Sequence, residues 1–266
     1  MEVKVQMKGF IGSIVDPYER KARVTPALLV LLPILVPFAA NYGSKLPSIA
    51  SVLGLLGACG AVYALANISR GRGKKLEEKL LETWGGMPTT IALRHRGTHL
   101  DSVSKARYHA EICTKLGMRL PTEAEEKHDP ARADDYYIAA TKRMRELTRD
   151  EQSLLLKENI AYGFHRNMLA MKPIGIVISL SGVVYGLHLA DAIQREAPYI
   201  QLQHMLSSGT VASLTTFVSL ILLYAWLFYF TPSAVRLIGF EYAERLFEAM
   251  TKLQTHAKRN NDGSDP

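Results

Sequence analysis

Four stretches of this 266-residue chain contain no Asp, Glu, Lys or Arg: Val24–Ser44, Leu46–Ser69, Pro173–Ala190 and Thr210–Thr231. Each approaches or exceeds the roughly 20 apolar residues that a helix needs to cross about 30 Å of hydrocarbon. In that medium every backbone N–H and C=O must be satisfied within the segment, so stretches of this length resolve as helices. The predicted fold is all-α: an integral membrane protein of four transmembrane helices in two hairpins, with a cytoplasmic helical domain between spans 2 and 3. The expected organisation is a lead-in at 1–23, a transmembrane hairpin at 24–69 and the helical domain at 70–172. A second hairpin follows at 173–231, then an amphipathic helix at 232–257 and a polar, disordered tail at 258–266.

Charge placement predicts the orientation. All of the 32 Lys and Arg residues except Lys45 and Arg195 fall before the first span, between spans two and three, or after the fourth. The positive-inside rule then puts both termini and the helical domain on the cytoplasmic side of the membrane. The formal net charge of +7 would suggest nucleic acid in a soluble protein. Here the excess is juxtamembrane, as in Arg70-Gly-Arg72-Gly-Lys74-Lys75, and suits anionic lipid headgroups, so the bilayer rather than nucleic acid is the expected partner. Cys59 in a span and Cys113 in the helical domain make no disulfide framework and imply a reducing compartment. No cleavable signal peptide is expected, because the first apolar run is too long and too late.

Small residues at three- and four-residue spacing let helix backbones approach in lipid, which marks Gly54 with Ala58, and Gly182 with Gly186, as packing positions within one chain or between copies of a homo-oligomer. Pro33 and Pro37 each remove a backbone hydrogen bond from span one. Tyr224, Trp226, Tyr229 and Phe230 form an expected aromatic belt at the end of span four.

The helical domain carries readable caps. Asp101 opens a helix over Ser102–Leu116 that stops at Gly117, and Thr122 with Glu125 forms a capping box. Asp129-Pro130 starts a helix to about Thr148, and Asp150 starts one that runs into span three. The Gly-Arg-Gly after span two reads as a linker turn, and Val235–Gln254 as an amphipathic helix that packs on the domain or lies on the membrane.

Candidate chemistry concentrates in Arg94-His95-Arg96-Gly97-Thr98-His99-Leu100-Asp101 and the following Lys105, Arg107 and His109. Arg94, Arg96, His99, Lys105 and Arg107 read as an anion or ligand site beside a capped helix start, fit for a phosphate, a nucleotide or a lipid headgroup. The same side chains, paired with Asp and Glu of neighbouring helices, would form a solvated ionic face, and the sequence leaves both open. No metal site is expected: Gly97 and the cap at Asp101 separate His95 from His99, and the nearby cations oppose a divalent ion. No nucleophile elbow, Walker loop, dinucleotide fingerprint or metalloprotease motif is present, and no cofactor or catalytic residue is expected. The acidic pair Asp134-Asp135 reads as a solvated face. Glu158–Asn167 is rich enough in polar and aromatic groups for either a coupling element or an interfacial anchor.

The segments Glu82–Arg96, Leu100–His109, Thr148–Asp150 and Glu158–Met168 are similar to a group of uncharacterised bacterial membrane proteins, which implies an architecture and a bacterial setting but no activity. The layout of spans enclosing a cytoplasmic helical module also resembles that of membrane effectors of bacterial anti-phage systems, an analogy without a shared motif. The expected function is a non-enzymatic inner-membrane effector or sensor whose cytoplasmic domain binds a protein or nucleotide partner. The alternatives are an enzyme acting on a lipid or phosphorylated substrate, and a membrane scaffold for a soluble partner.

Overall fold

The computed structural model describes residues 16–43, 49–148, 153–193, 201, 203–204 and 209–253. Interface contacts expected at Phe10, Ile11, Ile14 and Val15, the loop charges Lys45 and Arg195, the cap at Asp150 and the tail Lys258–Pro266 lie outside those residues. Among the described residues the regular structure is helical, in two compact units: Met1–Glu77 with Gly163–Ala234, and Glu78–Tyr162 with Val235–Pro266.

The first unit opens on a turn, Pro17–Glu19, capped by Asp16, whose carboxylate accepts the Tyr18 N–H at 2.9 Å. A π-helical stretch, Arg20–Val24, leads into α1 (Thr25–Gly43), with the Thr25 N–H reaching back to Arg20 O. Pro26 then offers no N–H, which removes the α-type donor, four residues on, from the carbonyl of Ala22. Helix α2 (Ile49–Trp84) is continuous over 36 residues. The linker turn expected at Gly71 and Gly73 is therefore absent; both glycines are helical, at a cost of about 1 kcal/mol each relative to alanine.

Helices α7 (Ser153–Leu189) and α8 (Thr210–Tyr224) complete the unit, α8 running on through a second π-helical stretch, Ala225–Tyr229. Their surfaces are apolar outside and small or hydroxylic inside. Leu214, Phe217, Leu220, Ile221, Tyr224 and Phe228 are exposed along α8 and its continuation, and Val177, Leu180 and Val184 along α7. The inward face of α8 carries Thr215, Thr216 and Ser219, whose hydroxyls return to the carbonyls of Val211, Ala212 and Thr215 at 2.7, 3.0 and 2.6 Å. A soluble helix shows the opposite distribution; this one suits a solvent as apolar as the side chains it meets.

Three helical segments, Pro17–Ala40, Leu154–Leu189 and Thr210–Tyr229, are long and apolar enough to cross a membrane, against the four expected. The other expected span, Leu46–Ser69, enters α2; residues 44–48 before it are not described, and from Arg70 onward α2 is highly charged. The aromatic belt also differs from expectation. Trp226 and Phe230 are buried against Val30, Met168 and Met171, while the exposed aromatics are Tyr224, Phe228 and Tyr229. The indole enters because Gly175 opposite has no side chain; a Cβ there would stand 2.1 Å from the ring.

The second unit comprises the end of α2, α3 (Pro88–Leu93), α4 (Ser102–Leu116), α5 (Glu123–His128), α6 (Pro130–Leu147), the start of α7, and α9 (Pro232–Thr251) from Val235 onward. Gly85 and Gly86, with φ of 77° and 137°, turn the chain out of α2. Asp101 accepts the Ser104 N–H, Gly117 ends α4 at φ 64°, the Thr122–Glu125 capping box is closed in both directions, and Asp129 accepts the Arg132 N–H. The apolar face of α9, with Phe240, Leu246, Phe247 and Met250, is buried in one core with Leu93, Tyr108, Ile112, Tyr137 and Met144. Each such fully buried side chain contributes about 1.5–3 kcal/mol, so α9 belongs to this unit's core rather than lying apart from it.

Candidate functional site

The basic loop after α3 is built around a carboxylate from the next helix but one. Glu126, on α5 and only 2% exposed, accepts the backbone N–H of His95 at 2.7 Å and of Arg96 at 3.1 Å. It also accepts the Arg96 guanidinium at 2.8 Å and the Tyr137 hydroxyl at 2.6 Å. Two successive N–H groups and an arginine make the anion cradle that the loop's composition suggested, and the anion they hold is the chain's own. Burial alone would push the Glu126 carboxyl up, but the hydrogen bonds from Tyr137, His95 and Arg96 outweigh it and bring its pKa to about 2. Burial and the carboxylate it donates to raise the Tyr137 hydroxyl well above its ordinary value.

Asp134, one helix further on, holds the other side. Its carboxylate takes Arg94 through Nε at 2.8 Å and Nη2 at 2.7 Å, and Arg96 Nη2 at 3.0 Å. Arg94 Nη2 also donates to Gly85 O at 2.6 Å. Lys105, 8% exposed, donates from Nζ to Gly97 O at 2.6 Å and His95 O at 3.2 Å. His95 reaches Pro121 O at 3.0 Å, and His109 reaches Leu93 O at 2.7 Å, which requires the His109 Nε2–H tautomer because a carbonyl can only accept. Burial holds His109 below the usual histidine range, so at pH 7 it is neutral.

The five residues of the expected anion site are thus divided. Arg94, Arg96 and Lys105 converge on one loop and are engaged there by Glu126, Asp134 and backbone carbonyls. His99 stands apart, stacked on Phe240 at 4.0 Å and bonded to Glu244 at 2.8 Å. Arg107 is exposed and lies over the Tyr108 ring at 4.9 Å. Among the described residues no group of His, Cys, Asp and Glu has the arrangement of a metal site. Glu126 is the residue that sequence reasoning passed over, and Asp134, expected on a solvated face with Asp135, is instead half-buried between Arg94 and Arg96 while Asp135 is exposed; Asp134 and Tyr137, three apart on α6, share a face.

A second polar cluster lies in the first unit, on the part of α7 that includes the end of the Glu158–Asn167 run. Asn167, fully buried, donates from Nδ2 to Ala22 O at 2.6 Å, the carbonyl whose α-type donor Pro26 removes. Arg166 Nη1 pairs with Glu77 at 2.8 Å, and its Nε lies 3.3 Å from Asn167 Oδ1. Gly73 of α2 makes room: a Cβ there would be 2.0 Å from Asn167 Oδ1. About one and a half turns on, Lys172 Nζ donates to Leu227 O at 3.1 Å and Phe230 O at 3.4 Å, where the second π-helical stretch ends and Pro232 has no N–H to contribute. Both π-helical stretches are therefore tied to one short strip of α7.

Of the small residues expected at helix contacts, Gly182 lies against Ser219 and Pro33, Gly186 against Thr216, and Gly54 against Phe38. Ala58 is half-buried on α2.

No protein-family profile matches the chain, and no curated protein or solved structure is significantly similar to it.

Proposed function

We propose that the chain is a non-enzymatic effector or sensor of the bacterial inner membrane. Four spans cross the bilayer, both termini and the helical unit are cytoplasmic, and the spans assemble as a homo-oligomer. The observation that carries this reading is the strip Arg166–Lys172 of α7. An anchor needs only apolar length, yet this helix spends Asn167 and Lys172 on the freed carbonyls of two π-helical stretches, which sit at the ends of two other apolar segments. Short π-helical insertions recur at functional sites, and a helix that ties two of them can move two spans together. The exposed apolar faces of α7 and α8 supply the surface for lipid and for a second copy. A place in anti-phage defence follows from the layout analogy and is part of the same proposal.

The test is membrane potential in cells expressing the chain or an empty vector, with and without phage challenge. Depolarisation confined to expressing cells supports the effector; an unchanged potential under both conditions removes it in favour of a scaffold. Orientation is tested on Cys113, which is exposed. A membrane-impermeant maleimide labels it in inverted vesicles and not in intact spheroplasts if the helical unit is cytoplasmic; the reverse pattern overturns the topology.

A further inference from the structure

The helical unit has a cleft of about 510 Å³ on the far side of α5 from the Glu126 cradle, walled by α5, α6 and the segment between α4 and α5. Its floor is apolar, made of Leu120, Pro121 and Ala133, all buried, with the ring of Tyr136 beside them, 40% exposed. An exposed tyrosine over a buried apolar floor is a platform for a planar group. Arg132 and Tyr136 are one helical turn apart on α6, so they present to the same opening.

The charges around the cleft are sorted by what already holds them. Glu125 is occupied by the Thr122 N–H and hydroxyl at 2.8 and 3.1 Å and by Arg119. Asp129 accepts the Arg132 backbone N–H at 3.0 Å. Both carboxylates thus serve helix starts. The Arg132 guanidinium and the His128 imidazole, by contrast, have no protein partner among the described residues, and both are exposed at the rim. Arg94 and Arg96 in the same unit are each held by carboxylates, so the basic loop offers fewer open donors than this rim.

We propose that this cleft binds a nucleotide-class ligand, with its planar base against Tyr136 and its phosphate on Arg132 and His128. The volume falls within the range of small-ligand sites. A bare phosphate would leave the apolar floor uncovered, and an acidic peptide would call for a longer groove. The site deepens the sensor reading and rests on it, placing the ligand at α5–α6 instead of at Arg94 and Arg96.

The experiment is titration calorimetry on the full-length protein in detergent, with ATP, GTP, CTP and UTP as probes and tripolyphosphate as the base-free control. At least one nucleoside triphosphate binds saturably, and tripolyphosphate binds at least about tenfold more weakly, the loss expected for one stacking contact. Arg132→Ala weakens the nucleotide by about tenfold or more through the lost charge-assisted bonds. Tyr136→Ala weakens it by about tenfold, and Tyr136→Phe stays within about twofold. Arg143→Ala, whose guanidinium pairs with Glu146 away from the cleft, binds as wild type. Both cleft residues are exposed, and an unchanged melting temperature without ligand verifies that each variant is folded. No saturable binding of any of the four at millimolar concentration, tripolyphosphate binding as tightly as the best nucleotide, or Arg132→Ala binding as wild type overturns the proposal. Absent binding with phage-dependent depolarisation intact removes the cleft alone, whereas binding with an unchanged potential removes the effector reading and keeps the site.

Discussion

Replacing Glu126 by glutamine tests the internal anion directly. The side chain keeps its size, but one oxygen becomes an NH2 that faces the donors of His95, Arg96 or Tyr137, and the charge is lost. The depression of the Glu126 pKa from 4.5 to about 2 corresponds to a ceiling of about 3 kcal/mol between charged and neutral forms. The Arg96 side of the pair is 41% exposed, so solvent screening reduces that to roughly 2 kcal/mol. The assay is hydrogen exchange of the amides of His95 and Arg96, both of which end on this carboxylate. Glu126→Gln should speed their exchange by roughly 30-fold, since about 1.4 kcal/mol is a factor of ten in local opening. Acid should do the same to the wild type. A carboxylate whose folded pKa is depressed adds stability above its unfolded pKa and loses it as pH falls through the folded one, so the wild type weakens more steeply between pH 4.5 and about 2 than the variant, which keeps only the contributions of other acids such as Glu125 and Asp101. Exchange at both amides within about threefold of wild type, or a wild-type stability flat across that window, would refute the cradle.

Asp134→Asn withdraws the shared partner of Arg94 and Arg96 and should cost about 3 kcal/mol, read as a lowered urea midpoint with unchanged helical circular dichroism in native buffer. The two helical glycines of α2 should respond with opposite signs. Gly73→Ala drives a methyl into Asn167 and costs about 1–3 kcal/mol, whereas Gly71→Ala, with nothing within 4 Å, gains about 0.5–1 kcal/mol. Thermal unfolding in detergent separates them, and equal shifts would contradict the close approach of α2 and α7. His109 should titrate in NMR below the ordinary value of about 6.5, so its contribution to stability is present at neutral pH and is lost as the solution is acidified past that point. A midpoint at or above 6.5 contradicts its burial.

The caps of the helical unit were readable because each is a local event: Asp101, Thr122 with Glu125, and Asp129 with Pro130 sit within three residues of the N–H groups they serve. The apolar face of α9 was readable too, as a pattern, although its partners Tyr108 and Tyr137 were not. The basic loop shows where local reading stops. Arg94 and Arg96 were visible as donors, but Glu126 and Asp134 lie 30 to 40 positions away on helices whose other acids, Glu123, Glu125, Asp135 and Glu146, are exposed. Nothing in composition separates an acid that turns inward from one that does not. Gly73 failed as a turn for a related reason: glycine permits a turn and equally permits a close helix crossing, and only Asn167 on the other helix decides between them, while Gly71 is helical with nothing within 4 Å.

The bond between Asn167 and the Ala22 carbonyl also has a consequence for biogenesis. The two residues are 145 positions apart, and Pro26 removes the α-type donor nearest to that carbonyl. At about 5–20 residues per second, the ribosome delivers Asn167 roughly 7–30 seconds after Ala22. In the membrane topology proposed above, the first apolar helix meets the insertion machinery before Asn167 can reach that carbonyl, which is left to water or a lipid headgroup. The seating of that helix at its Ala22 end is provisional until α7 emerges, and premature termination before residue 167 should leave a first span that slides or is extracted more readily than the finished one.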